Sequence, residues 1–546
     1  MKEAKISSHL SGGRLNVSLL QETMRKDLLN LLQQCEGPKV TIWDEWLAGP
    51  VGLVAQYSLL KEHEVADMFP LRPGSLPTIS VKHIIFIARP KLVLMDLVAD
   101  YINSLRTKPT TPVEFHLFFV PRRSELCEKH LKNRGVFSNL QIQEFKCDIY
   151  PVDSDLMSLE LQNDFRENYL EGDPTCIYNA AQALRTIQQL YGIIPRVLGK
   201  GQAAKQVWQL LCRLNKEEQG LGPRGSPTSC IDQLLILDRA IDFTSVVVTQ
   251  LTYEGLIDEI YGIRNSTATF PGDKFVSADD ASPEVTAREK KRVILNSGEE
   301  LFTELRDCSF NAVGTALSRK ARVIKTQLDE RHNDKSVQEI KHFVSRLPQL
   351  LANKQSLATH TAIAECIKEV TDCFEFQDTI NCEEDFLNCL DHEKVCPYIE
   401  DLIATKAPLN RALNLTVDEA NLNEEEKSFL YCKYTPLTVR LAEHVAKNKG
   451  WAGLTDVLGA VPGPLVDELQ TLQPRMVRRN SISSENSSSI ENPRVILVFF
   501  VGGCTYSEIS ALRSISQQED SNVEFVVLTT KLINGNTFIE ALMETE

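Results

Sequence analysis

One segment of the chain, residues 234–263, combines the pattern of a buried strand with charged residues at the end of that strand. The apolar run LLIL leads directly into Asp238 and Arg239, and Asp242 comes three residues later. An uninterrupted apolar run is typical of a strand that is buried on both faces of a parallel sheet. At the carboxyl end of such a strand, an α/β protein places either a ligand site or polar groups that hold the strand to the next helix. The three side chains could therefore serve chemistry or architecture.

The residues after this strand favour the architectural interpretation. Apolar residues recur at helical spacing from Tyr253 to Ile263, and Glu254 and Asp258 lie on other faces of the predicted helix. Carboxylate–arginine pairs without a nearby nucleophile or metal-ligand set are usually structural. We therefore predict that Asp238, Arg239 and Asp242 are structural, with catalysis as the alternative.

Strand and helix patterns alternate over residues 1–150, which predicts a doubly wound, mostly parallel α/β domain. The strand patterns are VTIWD (40–44), HIIFIA (83–88) and VEFHLFFV (113–120). The predicted helices between them cover residues 19–32, 91–105 and 122–134.

A second α/β domain begins at residue 151 and is predicted to be discontinuous. Residues 151–244 hold too few strands to form a sheet, and the segment 490–546 supplies two more, VILVFF and VEFVVLTT. The intervening insert is mostly helical, and we divide it into domain 3a (245–355) and domain 3b (356–489). Domain 3b ends in a Ser-rich linker whose composition predicts disorder. The predicted fold class is α/β plus α.

Composition excludes several function classes. The chain has 59 Lys and Arg against 74 Asp and Glu, a net charge of −15, so general nucleic-acid binding is not expected. No run reaches the roughly 18 apolar residues of a membrane span, and neither a secretion signal nor a lipidation motif is apparent. We expect a cytoplasmic protein whose membrane contacts are made through partners.

The sequence contains no recognisable motif for catalysis or cofactor binding. The sequence GKGQAAK (199–205) resembles a phosphate-binding loop but lacks the lysine and hydroxyl residue after its second glycine. Five of the 14 cysteines recur every seven to nine residues, too far apart along a helix for one tetrahedral zinc. They are Cys366, Cys373, Cys382, Cys389 and Cys396. We predict no catalytic residue, cofactor or metal, with a nucleotide-dependent enzyme on an α/β scaffold as the alternative.

A basic helical hairpin interrupts the acidic balance. Between Leu317 and Lys354 there are nine basic and four acidic residues, a local charge of +5. Residues 316–330 are predicted to form one helix, and Ser336 to Glu339 form a capping box that opens a second, which Pro348 is expected to limit. The alternative interpretation, without a binding function, is a charged helical face exposed to solvent.

Three blocks, in this order along the chain, resemble the Sec/Munc (SM) family of SNARE-binding chaperones. They are IWDEWLAGPVGLVAQYSLLKEHEV (42–65), the strand with its D-R-x-x-D and T-Y-E-G-L-I-D-E motifs, and VILVFFVGGCTYSEISALRSIS (495–516). The first block is similar to the class C vacuolar protein sorting branch. Ser245 stands where the family usually has proline. The resemblance implies that these signature residues are structural: Asp238, Arg239, Asp242, Tyr253, Glu254, Asp258, Gly502, Gly503, Thr505 and Glu508.

The resemblance also implies a function and partners. Members form a three-domain arch that promotes SNARE assembly, here in the fusion of late endosomes, lysosomes and autophagosomes as a subunit of the HOPS and CORVET tethers. The implied partners are syntaxin-type and R-type SNAREs, class C protein sixteen and other tether subunits. The hairpin corresponds to the SNARE surface, where we predict contacts by Arg319, Arg322, Arg331, Lys335 and Lys341.

Two linker segments raise further expectations. Close relatives carry several tens more residues in the polar connection 405–432, which is predicted to be a surface loop. The short form could be natural, an alternative transcript or a gene-model error, and it would weaken binding of protein sixteen. In the Ser-rich linker, Arg478-Arg479-Asn480-Ser481 resembles a basophilic kinase site, although such patterns also arise by chance.

Overall fold

The computed structural model describes most of the chain. The described residues are 10–11, 14–74, 81–106, 113–219, 229–275, 289–329, 337–389, 412–413, 415, 434–448, 450–470, 493–518 and 521–543.

The described part of the chain contains 16 strands. They are β1 (Leu10–Ser11), β2 (Arg14–Leu15), β3 (Lys39–Trp43), β4 (Val65–Pro70), β5 (His83–Ala88), β6 (Glu114–Phe119), β7 (Leu140–Glu144), β8 (Tyr150–Pro151), β9 (Leu156–Ser158), β10 (Arg196–Lys200), β11 (Gln233–Asp238), β12 (Thr267–Phe270), β13 (Lys291–Ile294), β14 (Leu465–Leu469), β15 (Arg494–Val501) and β16 (Val523–Thr529).

The α-helices of the described residues are numbered in the same way. They are α1 (Ser18–Gln33), α2 (Glu45–Val54), α3 (Tyr57–Glu62), α4 (Leu92–Arg106), α5 (Glu125–Asn133), α6 (Thr175–Tyr191), α7 (Gln202–Gln219), α8 (Thr244–Val247), α9 (Tyr253–Tyr261), α10 (Glu300–Leu305), α11 (Phe310–Asp329), α12 (Val337–Thr371), α13 (Phe374–Cys389), α14 (Leu437–Asn448), α15 (Thr455–Leu458), α16 (Tyr506–Gln517) and α17 (Gly535–Leu542).

The first sheet has five parallel strands in the order β4-β3-β5-β6-β7. The three predicted strands are its central members, whereas the edge strands β4 and β7 were not predicted. All six residues of β5 are buried, as expected for a parallel sheet that is covered on both faces. Helix α1 covers one face through Leu20, Met24, Leu28 and Leu32, whose four-residue spacing places them on one side of a helix.

The second sheet has seven strands in the order β14-β10-β11-β15-β16-β9-β8. Its five inner strands are parallel, and the two edge strands are antiparallel. Strand β11 from the middle of the chain pairs with β15 from the C-terminal segment, so the sheet is built from distant parts of the sequence. The edge strand β14 lies outside the predicted segments 151–244 and 490–546, and β8 begins one residue before the first of them. Pairing with the sheet, rather than local composition, decides where these strands belong.

The insert after β11 packs on the second sheet through one continuous apolar core, which joins residues of β11 and β15 with residues of α9, α10, α12 and α14. Helices α11 and α12 form the predicted hairpin. The prediction that Pro348 limits the second helix was wrong, because α12 continues through Pro348 to Thr371. Pro348 is exposed, so the carbonyl that loses its hydrogen-bond donor can be hydrated instead. The division between domains 3a and 3b at 355/356 falls inside this helix, and the domain boundaries stay a prediction.

Candidate functional site

The carboxyl end of β11 is the first place where a ligand would be expected, and side chains of the protein occupy it. The Asp238 carboxylate accepts hydrogen bonds from the backbone N–H groups of Ala203 at 2.8 Å and Ala240 at 2.9 Å, and from the Tyr169 hydroxyl. Ala203 lies in the first turn of α7, the position at which a phosphate would otherwise bind. Asp238 therefore takes the place of an anionic ligand at this helix end.

The glycine-rich turn before α7 is closed in the same way. The Lys200 ammonium group donates to the backbone carbonyls of Leu458 at 3.0 Å and Gly463 at 2.6 Å, so it is directed into the protein. Gly201 has a φ of +109°, and a Cβ there would lie 2.1 Å from the Asp238 Cβ. The glycine thus allows the backbone to approach Asp238 closely rather than a phosphate.

Arg239 is bound to Glu508 in a fully buried ion pair. The two guanidinium nitrogens donate to the two carboxylate oxygens at 2.8 and 3.0 Å, and both side chains have zero exposure. Thr438 of α14 also donates to Glu508, and Glu508 caps α16 by accepting from the Thr505 N–H at 3.0 Å. One carboxylate therefore joins β11, α14 and α16, which are far apart in the sequence.

Asp242 binds the start of α14 to the segment after β11. It accepts from the Tyr434 hydroxyl at 3.2 Å and from the Leu437 N–H at 2.9 Å. Ser245 donates to Asp242 through its hydroxyl at 2.6 Å and its N–H at 3.2 Å. A proline at position 245 has neither group, so the serine stabilises this turn by hydrogen bonding instead of by a fixed φ angle.

The remaining signature residues lie in or beside the same network. The Tyr253 hydroxyl is 3.0 Å from His360 Nδ1, and Asp258 accepts from the Ile263 N–H at 2.9 Å and from Asn534 at 3.0 Å. Gly502 and Gly503 have φ values of +97° and +106°, and a Cβ on either would lie within 3 Å of a neighbouring side chain.

Arg513 is a member of this network that sequence reasoning missed. Its guanidinium group donates to Asp155 at 2.7 Å, Glu254 at 2.9 Å and Asp307 at 3.3 Å. The three carboxylates come from three distant segments, so no spacing pattern in the sequence indicates that they meet. The sequence shows only one arginine among the apolar residues and serines of α16.

The carboxyl edge of the first sheet is filled by a similar pair. Asp44 follows β3 and caps α2, accepting from the Trp46 N–H at 3.2 Å. Arg89 follows β5, donates to Asp44 at 2.5 Å and lies over the Trp46 ring at 4.4 Å. At both sheets, the usual ligand position is therefore occupied by groups of the chain itself.

Three acidic residues of α9 carry pKa values above their usual range because burial disfavours the charged form. The pKa is about 7 for Glu254, about 6 for Asp258 and about 7 for Glu259. When the native pKa exceeds the unfolded one, the group's contribution to stability is complete below the unfolded value of about 4. That contribution is lost as the pH rises through 6 to 7.

We expect Glu259→Gln to weaken this pH dependence. The amide can still accept the hydrogen bond from Gln250, which is 3.0 Å long in the native chain, but it has no charge to bury. The fall in unfolding free energy between pH 6 and pH 8 should shrink by about 1 kcal/mol, measured by denaturant titration. Glu375→Gln, on an exposed residue, should leave the fall unchanged, and equal slopes for both variants would contradict the assignment.

The hairpin presents cationic side chains to solvent. Arg319, Arg322, Lys325, Lys341 and Arg346 are exposed, and no acidic group in the described residues forms an ion pair with any of them. Lys320 instead binds Glu304 at 2.6 Å. Arg319 and Arg322 are three residues apart and so share one side of α11.

Exposed apolar side chains lie along the same hairpin. Val323 of α11 is 47% exposed, and Val344 and Leu351 of α12 are 56% and 53% exposed. The inner side is closed by Val313, Leu317, Ile324 and Leu350, which are buried. The solvent-exposed surface of the hairpin therefore carries both apolar and cationic side chains.

Several predicted residues fall outside the described part of the chain. Arg331 and Lys335, two of the five predicted SNARE contacts, are among them, as are Ser481 and Cys396. Of the polar connection 405–432, the described Leu413 and Leu415 are buried, and the Thr435 N–H donates to the Leu415 carbonyl at 2.7 Å. This part of the connection belongs to the hydrophobic core and is not the surface loop that was predicted. Two leucines in a polar sequence suffice to anchor it there.

The profile of the Sec1 family matches residues 39–419 and 404–541, which together are nearly the whole chain. This chain belongs to the Sec1 family. The resemblance drawn from the three sequence blocks is thus confirmed.

Curated Sec1-family relatives agree on the branch. The chain is 42% identical to vacuolar protein sorting-associated protein 33A of Rattus norvegicus, covering 99% of this chain and 100% of the relative. It is 35% identical to the 33A protein of Drosophila melanogaster, covering 97% and 98%, and 26% identical to the human 33B protein, covering 96% and 97%. Similarity to these A forms exceeds similarity to this B form.

Solved structures of Sec1-family proteins confirm the predicted fold class, an α/β plus α arch. The SM protein Vps45 in complex with the Qa SNARE Tlg2 has a TM-score of 0.58 at 16% identity, over 96% of this chain and 97% of that one. Sly1p in complex with an N-terminal peptide of Sed5p has a TM-score of 0.57 at 15% identity, over 96% and 97%.

The comparisons also bear on the short connection. The alignment with the rat relative spans 607 positions, 61 more than the 546 residues of this chain, so the relative has residues without a counterpart here. The Sec1-family match consists of two ranges that meet and overlap at residues 404–419, at the start of the connection 405–432. In the described residues, no helix is long and apolar enough to cross a membrane.

Proposed function

We propose that this chain is a SNARE-binding chaperone that promotes SNARE complex assembly. Membership of the Sec1 family supports the proposal, and the observation that carries it is the exposed stripe of cationic and apolar side chains on the α11–α12 hairpin. A SNARE motif is a long amphipathic helix, and a hairpin with exposed valines and arginines fits its apolar stripe and acidic flanks. Holding several motifs in register reduces the entropy that bundle assembly would otherwise lose.

We propose that the chaperone works without catalysis or a bound cofactor. At the carboxyl edges of both sheets, charged groups of the chain satisfy one another, through Asp44 with Arg89 and through Asp238 with the N-terminus of α7. A nucleotide would have to displace buried ion pairs and hydrogen bonds in order to bind there, which costs several kcal/mol.

The family resemblance and the 33A relatives support a place in the HOPS and CORVET tethers. The proposed partners are syntaxin-type and R-type SNAREs, class C protein sixteen and other tether subunits. The chain would act in the cytoplasm, held peripherally on late endosomes and lysosomes by these partners, in the fusion of late endosomes, lysosomes and autophagosomes. Phosphorylation of Ser481 remains a proposal that rests on the sequence pattern alone.

Titration of labelled syntaxin-type SNARE motifs into the purified chain tests the chaperone proposal. Binding that weakens as salt rises is expected, because the hairpin surface is cationic. Failure of every motif to bind at low salt would contradict it. A thermal-shift screen with ATP, GTP and NAD on the same preparation tests the alternative function, a nucleotide-dependent enzyme. A nucleotide that raised the melting temperature would support that alternative.

We expect weaker binding of the long class C partner than a full-length relative shows. At least 61 positions of the rat relative are missing here, and the two ranges of the family match meet at the start of 405–432. Loss of helices from an interface removes buried apolar area and the residues that dominate affinity, so a loss of about tenfold or more is expected. Pull-down of protein sixteen with this chain, the rat relative and a chimera that carries the missing segment measures it. Equal affinities would place the interface elsewhere, and unchanged SNARE binding serves as the control.

A further inference from the structure

Three side chains able to ligate a metal converge at the amino-terminal edge of the first sheet. Cys35 follows α1, His83 is the first residue of β5, and His116 is the third residue of β6. One ligand atom from each lies within 4.8 Å of the other two. All three residues are buried, with 2% or 3% of their surface exposed.

The placement follows from strand register. His83 pairs with Glu114, and Ile85 pairs with His116, so both histidines and Glu114 project from one face of the sheet, since alternate residues share a face. Helix α1 covers that face, and the chain leaving α1 brings Cys35 over the two imidazoles. Two of the three groups therefore stand on central strands, which hold them rigidly.

The polar contacts of the cluster form a directed chain. Cys35 Sγ is 3.5 Å from His116 Nδ1, and His116 Nε2 is 3.1 Å from His83 Nδ1. His83 Nε2 is 2.9 Å from the Glu36 carbonyl oxygen, which can only accept, so this nitrogen carries the proton of His83. The His83 Nδ1 lone pair consequently accepts from the His116 Nε2–H, which leaves the His116 Nδ1 lone pair facing the Cys35 thiol. The Glu36 carbonyl orients the His83 ring as outer partners of metal-bound histidines do.

The donor set selects a particular class of ion. One thiol and two imidazoles suit zinc or another soft transition metal, whereas magnesium and calcium require oxygen ligands. Ligand atoms of a tetrahedral zinc lie about 3.3 to 3.8 Å apart, given bond lengths of about 2.0 to 2.3 Å, and the Cys35–His116 distance of 3.5 Å falls in that range. A carboxylate oxygen of Glu114, whose side chain is 44% exposed, is 3.6 Å from His83 Nδ1, close enough to serve as a fourth ligand.

We propose that Cys35, His83 and His116, with Glu114 as the fourth ligand, bind a structural zinc ion. On binding, zinc replaces the thiol proton, which passes to solvent, and His83 Nδ1 exchanges its hydrogen bond from His116 for the metal. The thiolate and the Nδ1 atoms of the two neutral imidazoles then coordinate the ion. The ion joins the end of α1 to β5 and β6 and so stabilises the first α/β unit. The sequence gives no sign of this site, because these residues are 48 and 33 positions apart and none of the zinc-ligand spacings contains such intervals.

Cobalt substitution on the full chain, stripped of metal with a chelator, tests the proposal. One equivalent of Co²⁺ should produce a thiolate-to-cobalt charge-transfer band together with tetrahedral ligand-field bands in the visible range, and one equivalent of Zn²⁺ should abolish both. Equimolar zinc should also raise the melting temperature. Absence of the charge-transfer band in the folded wild-type chain would overturn the site and leave the cluster as a hydrogen-bonded part of the core.

Matched variants locate the ion. Cys35→Ser should lower zinc affinity by more than about 100-fold, beyond the 10–100-fold that loss of an outer partner causes. Cys127→Ser also removes a buried thiol from this unit and should bind zinc like wild type. Glu114→Gln, on an exposed side chain that can be replaced without disturbing the core, should weaken binding about tenfold. Wild-type affinity in both Cys35→Ser and Glu114→Gln would overturn the assignment.

Discussion

Replacing Glu508 by alanine is expected to destabilise the protein by about 3–5 kcal/mol. The change leaves the Arg239 guanidinium, which has zero exposure, buried without its carboxylate, and removal of one partner of a buried pair has a cost of this size. The hydrogen bonds from Thr438 and from the Thr505 N–H are lost as well. Denaturant titration and the melting temperature of the purified chain measure the effect.

Two further variants separate the unpaired charge from the lost packing. Arg239→Met combined with Glu508→Leu removes both charges, so it should be less destabilised than Glu508→Ala alone. Asp100→Ala breaks an exposed pair with Arg134, whose side chains are 64% and 38% exposed, and should cost no more than about 1 kcal/mol. If Glu508→Ala lost no more than Asp100→Ala, the ion pair would not be the structural element proposed here.

Reversing the charges of Arg319 and Arg322 to glutamate is expected to weaken SNARE-motif binding by about 30-fold at low salt. Each reversal replaces an attraction to an acidic helix by a repulsion, at roughly 1 kcal/mol per position, and 1.4 kcal/mol is a factor of ten. The dependence of affinity on salt should flatten, since fewer cations remain to be screened. Fluorescence anisotropy with a labelled SNARE motif at two salt concentrations provides both quantities.

The matched control changes the same charge on another element. Lys291 and Arg292 of β13 are exposed, so their reversal to glutamate alters net charge equally without touching the hairpin. That control should bind SNARE motifs within about twofold of wild type, and all three proteins should melt together because the altered side chains are at the surface. Equal losses in both double variants would indicate a nonspecific charge effect rather than a hairpin surface.

The contacts of Asp238 and Arg239 differ from what their adjacency in the sequence suggests. The two side chains do not pair with each other, because Asp238 is the last residue of β11 and Arg239 begins the short helical turn that follows it. Asp238 accordingly binds the N-terminus of α7, and Arg239 binds Glu508 on the other side. The charges were visible in the sequence, whereas their partners depend on which distant helices pack against each face of β11.

Features that depend on local pattern could be predicted from the amino-acid sequence alone. Apolar runs placed the central strands of both sheets, helical periodicity placed α9 and the hairpin, and three motif blocks identified the family. What it could not supply are contacts between distant segments: the edge strands β4 and β14, the three partners of Arg513, and the meeting of Cys35, His83 and His116. The physical reason is that pattern reports which face of an element is buried, whereas the partner on that face is chosen by packing across the whole fold.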